Sequence, residues 1–290
     1  MRIAVTGHKG FIGGHVLAAA RDHDVWGLDR AGDPGVRLEE MRADAFSGEG
    51  VEAVIHLAAH ADVRNNWDNL FTLNRDNIEA TYRTLEAVRR CGTVKTFVFI
   101  STGAVYAGHE GGVTPDTVPI ATSPYAATKL AGEAYVQAWA EKCEFRWFVL
   151  RPAACFGGGY HHGHIADFVR QMRLNGKIHA LDDGRTARPG LHARDLAETC
   201  VKLVAEPDYP GGVYNLSSGL WGWRDTIEIM RRIGGGKAVP VTHEDRPSGW
   251  LGDGQGAHWT SQRLGRLGIE MLHDVEDGVR DALVGLGWGK

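Results

Sequence analysis

Residues 2-RIAVTGHKGFIGG-14 run from five strand-forming positions straight into three glycines, Gly7, Gly10 and Gly13, three residues apart. A helical pattern of apolar residues follows, from Phe11 to Arg21. Glycines at that spacing allow a tight turn, close approach of the backbone to a pyrophosphate, and close packing of helix on sheet. The amide groups of the helix N-terminus supply donors for the anion. The next β-rich run, Asp24–Leu28, ends against Asp29, 22 residues beyond Gly7. An acid there accepts hydrogen bonds from the ribose hydroxyls of a dinucleotide. Arg30 is a group that a ribose 2′-phosphate would meet, but Asp29 would repel that phosphate. NAD is therefore expected over NADP.

Outward from this turn, short β-rich runs at Arg2–Thr6, Asp24–Leu28, Ala53–Leu57, Thr96–Ile100 and Phe145–Leu150 alternate with helical patterns at Phe11–Arg21, Leu73–Arg90 and Pro124–Lys142. Runs that are almost wholly apolar, such as VIHL and FVFI, predict parallel strands covered on both faces. The fold class is α/β, a doubly wound parallel sheet of the Rossmann type with a smaller mixed α/β C-terminal domain. Residues 1–157 form the dinucleotide half, and 158–290 form mainly the substrate half, with later segments returning to the first. Helices are expected at Ile165–Leu174, Arg194–Ala205, Thr226–Ile233 and Val275–Leu286, a strand at Val213–Leu216, and a loop over Thr242–Gly256.

Composition excludes several classes. Hydrophobic residues make up 43% and charged residues 23%, as in an ordinary folded globule. The formal net charge of −4 gives no general cationic field for nucleic acid or anionic lipid. Cys91, Cys143, Cys155 and Cys200 form no CxxC pair, which fits free thiols in a reducing cytoplasm. No apolar run of membrane-spanning length occurs, and the strand beginning at Arg2 leaves no room for a signal peptide.

The second chemical signal is 123-SPYAATKLAGEAY-135. Tyr125 and Lys129 are four apart near the start of a helix and share one face. A lysine beside a phenol favours phenolate by Coulomb attraction, bringing the tyrosine toward the range of a general acid or base. Ser101 and Thr102 follow the apolar FVFI run, at the strand end where this architecture places its chemistry.

With these pieces in place, the chain resembles an extended short-chain dehydrogenase/reductase of the NAD-dependent epimerase/dehydratase family. The resemblance rests on TGHKGFIGG, Asp29, HLAAHADV, DNIEATYRTLEA, STGAVY, SPYAATK, LRPAACFGGG and 185-RTARPGLHARDLAET-199, in that order along both halves. It implies NAD held by Gly7, Gly10, Phe11, Ile12, Gly13 and Asp29. Asp44 would meet the adenine edge, Leu57, Ala58 and Ala59 would line the cofactor, and Asn77 would steady the active-site helix. It also implies a catalytic trio of Thr102, Tyr125 and Lys129, with Tyr125 and Lys129 also touching the cofactor. On the substrate side, Thr102 and Ala104 would contact a nucleotide diphosphate sugar, with Arg188 and Arg246 on its phosphates. The implied reaction is C4 epimerisation of a nucleotide diphosphate hexose through a transient 4-keto form. Reduction of a ketosugar by NAD(P)H uses the same trio and stays open. A dinucleotide-binding interaction protein without chemistry is the third reading.

Related dehydratases place an Asp-Glu pair directly after the threonine, where this chain has Gly103 and Ala104, so elimination of water is disfavoured. Many relatives carry Asn where this chain has Ala154, which loosens the transfer of a binding mode for the nucleotide. His161, His162 and His164 lack a cysteine or a regularly placed acid to complete a metal site, and no metal is expected. Trp221 and Trp223 either cover a pocket or pack the small domain. The patterns at Leu73–Arg90 and Pro124–Lys142 resemble the helices that relatives pair across a homodimer, with Leu85, Val88, Leu130 and Tyr135 as apolar positions. Core packing accounts for those positions equally well.

Overall fold

The computed structural model describes residues 1–30, 37–61, 67–184, 187–244 and 256–289. Its spine is a six-stranded sheet made of β1 (Arg2–Thr6), β2 (Asp24–Leu28), β3 (Ala53–His56), β4 (Thr96–Ile100), β5 (Arg146–Pro152) and β6 (Gly212–Leu216). The spatial order is β2-β1-β3-β4-β5-β6, and every neighbouring pair is parallel. The order reverses at β1, which opens a crevice beyond the carboxyl ends of β1 and β3. Thr6 stands in register with Leu28 on one side and His56 on the other, so Gly7, Asp29 and Leu57 leave the sheet together.

Alternation along the strands builds two cores. Ile3, Val5, Ile55, Val98 and Phe148 face the helices Phe11–Ala19 and Ala193–Ala205, meeting Val16, Leu196 and Cys200. Ala4, Val54, Phe97, Phe99 and Val149 face the helices Ala80–Cys91 and Pro124–Cys143, meeting Leu85, Val88 and Val136. Both faces are covered, which is why VIH and FVFI carry no polar alternation. Leu85 and Val88 are 0% and 2% exposed, so these two helix positions belong to the core and present nothing to a partner.

The second half has its own core of Phe156, Ile165, Ile227, Met230 and Val279. Around it lie the helices Gly163–Asn175, Trp223–Ile233 and Val275–Gly285 and a three-stranded sheet of Ala154–Phe156, Arg188–His192 and Gly219–Trp221. The chain does not divide cleanly at residue 157. Strand β6 returns to the large sheet beside β5, and the helix Ala193–Ala205 packs under it.

Two elements differ from expectation. The helix expected over Leu73–Arg90 is a short helix, Leu70–Leu73, a π-helical turn, Asn74–Glu79, and a helix, Ala80–Cys91. The wider turn brings the consecutive residues Asp76 and Asn77 both inward, at 8% and 2% exposure. The loop expected over Thr242–Gly256 is bounded by short strands, Val241–His243 and Gly256–His258, which pair with Ile178–Ala180 and Glu110–Gly112. Pairings across such sequence distances leave no local pattern.

Candidate active site

Gly7 leaves β1 with a positive φ of 72°, and a Cβ there would lie 2.8 Å from the backbone nitrogen of Ala58. A Cβ on Gly13 would lie 2.3 Å from the carbonyl oxygen of Gly7. The first helix therefore crosses its own entry loop at a distance that only glycine permits. The result is a cleft of about 270 Å³ bounded by Gly7, Gly10, Asp29, Leu57, Ala58 and Ala59. Asp29 is fixed at its mouth, with Oδ2 accepting from the backbone N–H of Lys9 at 3.0 Å. A bare-backbone cradle, a helix N-terminus and an acid at the end of β2 fit a dinucleotide. Phe11 and Ile12 open the helix, Phe11 edge-on to Tyr160 at 5.4 Å. Asp44 lies on the exposed surface, with Oδ1 and Oδ2 each 3.0 Å from the Arg42 guanidinium; it is not among the residues bounding the cleft.

The cleft wall is braced from behind. His56 is fully buried at the end of β3 between two hydroxyls, Thr6 Oγ1 at 2.9 Å from Nδ1 and Thr81 Oγ1 at 3.0 Å from Nε2. Thr81 donates to the carbonyl of Asn77 at 2.6 Å, so the network assigns the imidazole proton to Nε2. A neutral ring satisfies both partners. Burial, aided by the Lys129 charge, pushes His56 down to about 3.

The helix Pro124–Cys143 starts where Ser123 Oγ accepts from Ala126 N–H at 3.3 Å and proline holds the first helical position. This places Tyr125 in the first turn and Lys129 one turn later. Gly132 makes the approach to β4 possible, since a Cβ there would lie 2.4 Å from the Phe99 ring. Thr102, just past β4, accepts from Ala104 N–H at 3.1 Å, and its hydroxyl is near enough to the Tyr125 phenol to pull its pKa downward. Thr102, Ala104, Tyr125 and Lys129 thus come together at the carboxyl end of the sheet.

The electrostatics differ from the sequence expectation. Lys129 Nζ lies 4.8 Å from the centre of the Phe99 ring, in a cation–π contact. Burial pushes Tyr125 up to about 12, against the lowering pull of the nearby Thr102 hydroxyl. Burial likewise pushes Lys129 down to about 8, opposed by the Glu133 charge. Burial governs both groups, and the charge that acts on Lys129 is Glu133 and not the phenol.

Sequence reasoning missed the polar network under the trio. Glu133, one turn beyond Lys129, accepts from Ser101 Oγ at 2.5 Å and from Arg151 Nη2 at 2.6 Å. Arg151 reaches on to Tyr106 Oη at 2.7 Å, which donates to Asn215 Oδ1 at 2.9 Å. The available signal was an acid four residues after the lysine and an arginine inside an apolar strand.

On the substrate side, Arg188 Nη2 lies 3.3 Å from Asp182 Oδ2, and Trp223 Nε1 donates to the same carboxylate. Trp221 Nε1 bonds Thr226 Oγ1 at 3.0 Å, so both tryptophans serve the packing of the small domain. Arg246 lies outside the described residues. His162 packs against Tyr160 at 4.7 Å, and His164 bonds Thr226 Oγ1 at 3.2 Å. Among the described residues, no group of three or more His, Cys, Asp or Glu could hold a metal ion. Nor is any described helix long and apolar enough to cross a membrane.

The model of the NAD dependent epimerase/dehydratase family matches residues 3–217. The chain is 30% identical to an uncharacterized UDP-glucose epimerase, YtcB, of Bacillus subtilis (strain 168), over 74% of this chain and 76% of that protein. It is also 30% identical to a GDP-6-deoxy-D-mannose reductase of Pseudomonas aeruginosa, over 80% of each. Among solved structures, MoeE5 in complex with UDP-glucuronic acid and NAD superposes with a TM-score of 0.86 at 25% identity, covering 99% of this chain and 98% of that one. UDP-glucose 4-epimerase with UDP-glucose from Thermotoga maritima superposes with a TM-score of 0.85 at 25% identity, covering 99% of both.

Proposed function

The chain belongs to the NAD dependent epimerase/dehydratase family, and on that footing we propose that it epimerises C4 of a nucleotide diphosphate hexose through a 4-keto form, with NAD as a recycled cofactor. The observation that carries this reading is the grouping of Thr102, at the end of β4, with the buried Tyr125 and Lys129 one turn apart on the helix Pro124–Cys143, at the same carboxyl end of the sheet as the glycine cleft. Gly7, Gly10, Phe11, Ile12, Gly13, Asp29, Leu57, Ala58 and Ala59 would hold the dinucleotide, whereas Asp44, paired with Arg42 outside the cleft, gives the adenine role no structural support. Bound NAD supplies the oxidant for C4 and returns the hydrogen afterwards.

The chain's own residues handle the proton. Tyr125 Oη takes it from the C4 hydroxyl and gives it back, while Thr102 Oγ1 donates to the same oxygen and stabilises developing negative charge. The amide of Ala104 keeps the Thr102 oxygen oriented. Lys129, buried and cationic, favours the deprotonated phenol when the two approach, and Asn77 keeps their helix in place. Arg188 and Arg246 meet the diphosphate, Arg188 exchanging part of its hold on Asp182 for phosphate oxygens.

Gly103 and Ala104 stand where related dehydratases carry the Asp-Glu pair, which disfavours elimination of water. The reductase relative supports a second reading, NAD(P)H-dependent reduction of a ketosugar, which needs the same trio. The intact trio speaks against an interaction protein without chemistry. Two copies associate through the exposed side of the helices around Phe71 (78% exposed), Tyr82 and Trp139. The four free thiols suit a cytoplasmic setting.

The deciding experiment incubates the protein with UDP-, dTDP-, GDP- and CDP-hexoses without added coenzyme and separates the stereoisomers. Interconversion that Tyr125→Phe slows by about 10²-fold or more, with NAD still bound, supports epimerisation. Consumption of NAD(P)H with a ketosugar, and no interconversion of any sugar, assigns the reductase reading. Light scattering of the same sample tests the dimer, and a mass near the 31.6 kDa of one chain rejects it.

A further inference from the structure

The cleft wall carries two acids and two bases at its ribose end: Asp29 and Asp76, Lys9 and Arg30. Arg30 directly follows the acid that faces the ribose, in the position where its charge would favour a ribose 2′-phosphate. Its guanidinium instead reaches across to the π-helical turn, where Nη1 donates to Asp76 Oδ2 at 3.3 Å. Asp76 is 8% exposed and is held on its other oxygen by Arg75 at 2.8 Å. His60 Nδ1 stands 3.8 Å from the oxygen that Arg30 uses. The carboxylate is therefore anchored in the wall, and Arg30 is the exposed partner drawn to it. It owes its inward position to the π-turn, which also sends Asn77 toward the active-site helix.

We propose that Asp76, through its hold on Arg30, is a second determinant of coenzyme choice and reinforces NAD over NADP. A 2′-phosphate at Asp29 would have to draw Arg30 off Asp76 and then face two carboxylates in place of one. With Arg75 counted, Asp29, Asp76, Lys9, Arg30 and Arg75 sum to +1, and to +2 once Asp76 is neutralised. Because Arg30 is two-thirds exposed, water screens the effect and a moderate factor is expected. The inference rests on the cofactor reading above, and it concerns residues whose pairing is independent of the catalytic trio.

The test titrates NAD and NADP separately into cofactor-free protein and follows tryptophan fluorescence, with calorimetry as the second readout. Wild type should prefer NAD. Asp76→Asn keeps the side-chain shape, and should tighten NADP binding about tenfold while moving NAD binding less than about threefold. Arg30→Ala alone should leave the NADP-to-NAD ratio near the wild-type value. The double variant Asp76→Asn/Arg30→Ala should lose the gain, since Arg30 is the group released. Asp76→Ser serves as a second substitution if the asparagine variant folds poorly by circular dichroism. An unchanged ratio in the folded Asp76 variants overturns the proposal, as does a gain that survives removal of Arg30. If wild type binds neither coenzyme, or prefers NADP, the NAD reading itself fails; wild-type preference for NAD with unresponsive Asp76 variants sinks only the present inference.

Discussion

Asn77 Nδ2 stands 2.9 Å from Thr128 Oγ1, and this hydrogen bond joins the π-helical turn to the helix that carries Tyr125 and Lys129. The same amide brackets His60, with Oδ1 accepting from its N–H at 2.6 Å and Nδ2 donating to its carbonyl at 3.2 Å. Thr128 in turn donates to the Tyr125 carbonyl at 2.8 Å. One side chain thus sets the spacing between the cofactor wall after β3 and the first turn of the active-site helix.

Replacing Asn77 by Ala should lower kcat about 10- to 100-fold, because reacting groups displaced by about an ångström lose that much. Thr128→Val should cost less, since the bracket on His60 survives. Steady-state kinetics on the two purified variants make the comparison. A kcat for Asn77→Ala within twofold of wild type would show that the trio needs no such tether.

His56 should make the protein less stable in mild acid. Its folded value of about 3 lies below the ordinary 6.5, so the unfolded chain takes up a proton that the folded chain refuses. The contribution is whole above pH 6.5 and is lost as pH falls toward 3, at up to about 1.4 kcal/mol per pH unit. Urea unfolding of wild type and His56→Asn between pH 4.5 and 6 should show the shallower slope in the variant. Equal slopes would refute the assignment to this ring.

Removing one partner of the Glu133–Arg151 pair should be costly. Both side chains are 5% exposed, and Glu133→Gln strands a buried guanidinium, an effect of about 3–5 kcal/mol. Glu133→Gln combined with Arg151→Met removes the stranded charge and should recover part of the loss. Denaturant midpoints decide it; a double variant no more stable than the single one contradicts the account.

Trp259 should hold position 103 to glycine. A Cβ on Gly103 would lie 2.1 Å from the indole Cζ2, and the ring is fixed by Nε1 donating to the Leu216 carbonyl at 3.2 Å. Gly103→Ala should destabilise by about 1–3 kcal/mol through overpacking. In Trp259→Ala the same substitution should cost markedly less, which a double-mutant cycle in urea measures directly. Additive losses would mean that the indole is not the obstacle.

The split between what was legible in the sequence and what was not follows interaction range. The turn at Gly7, Gly10 and Gly13, Asp29 at the end of β2, and Tyr125 one turn before Lys129 were readable because backbone sterics and helical period act over a few residues. The apolar runs of β3 and β4 likewise declared a sheet covered on both faces. Which charge meets which was decided only in three dimensions. Arg151 finds Glu133 across 18 positions, and Arg30 finds Asp76 across 46. Lys129 settles over Phe99 with burial governing the phenol beside it, where the four-residue spacing alone suggested direct Coulomb control. Leu85 and Val88, apolar on a helix, turned toward the sheet because hydrophobic periodicity marks a buried face without saying what buries it. Electrostatic partners and the dielectric around them depend on how distant segments pack, and that information resides in no local stretch of the chain.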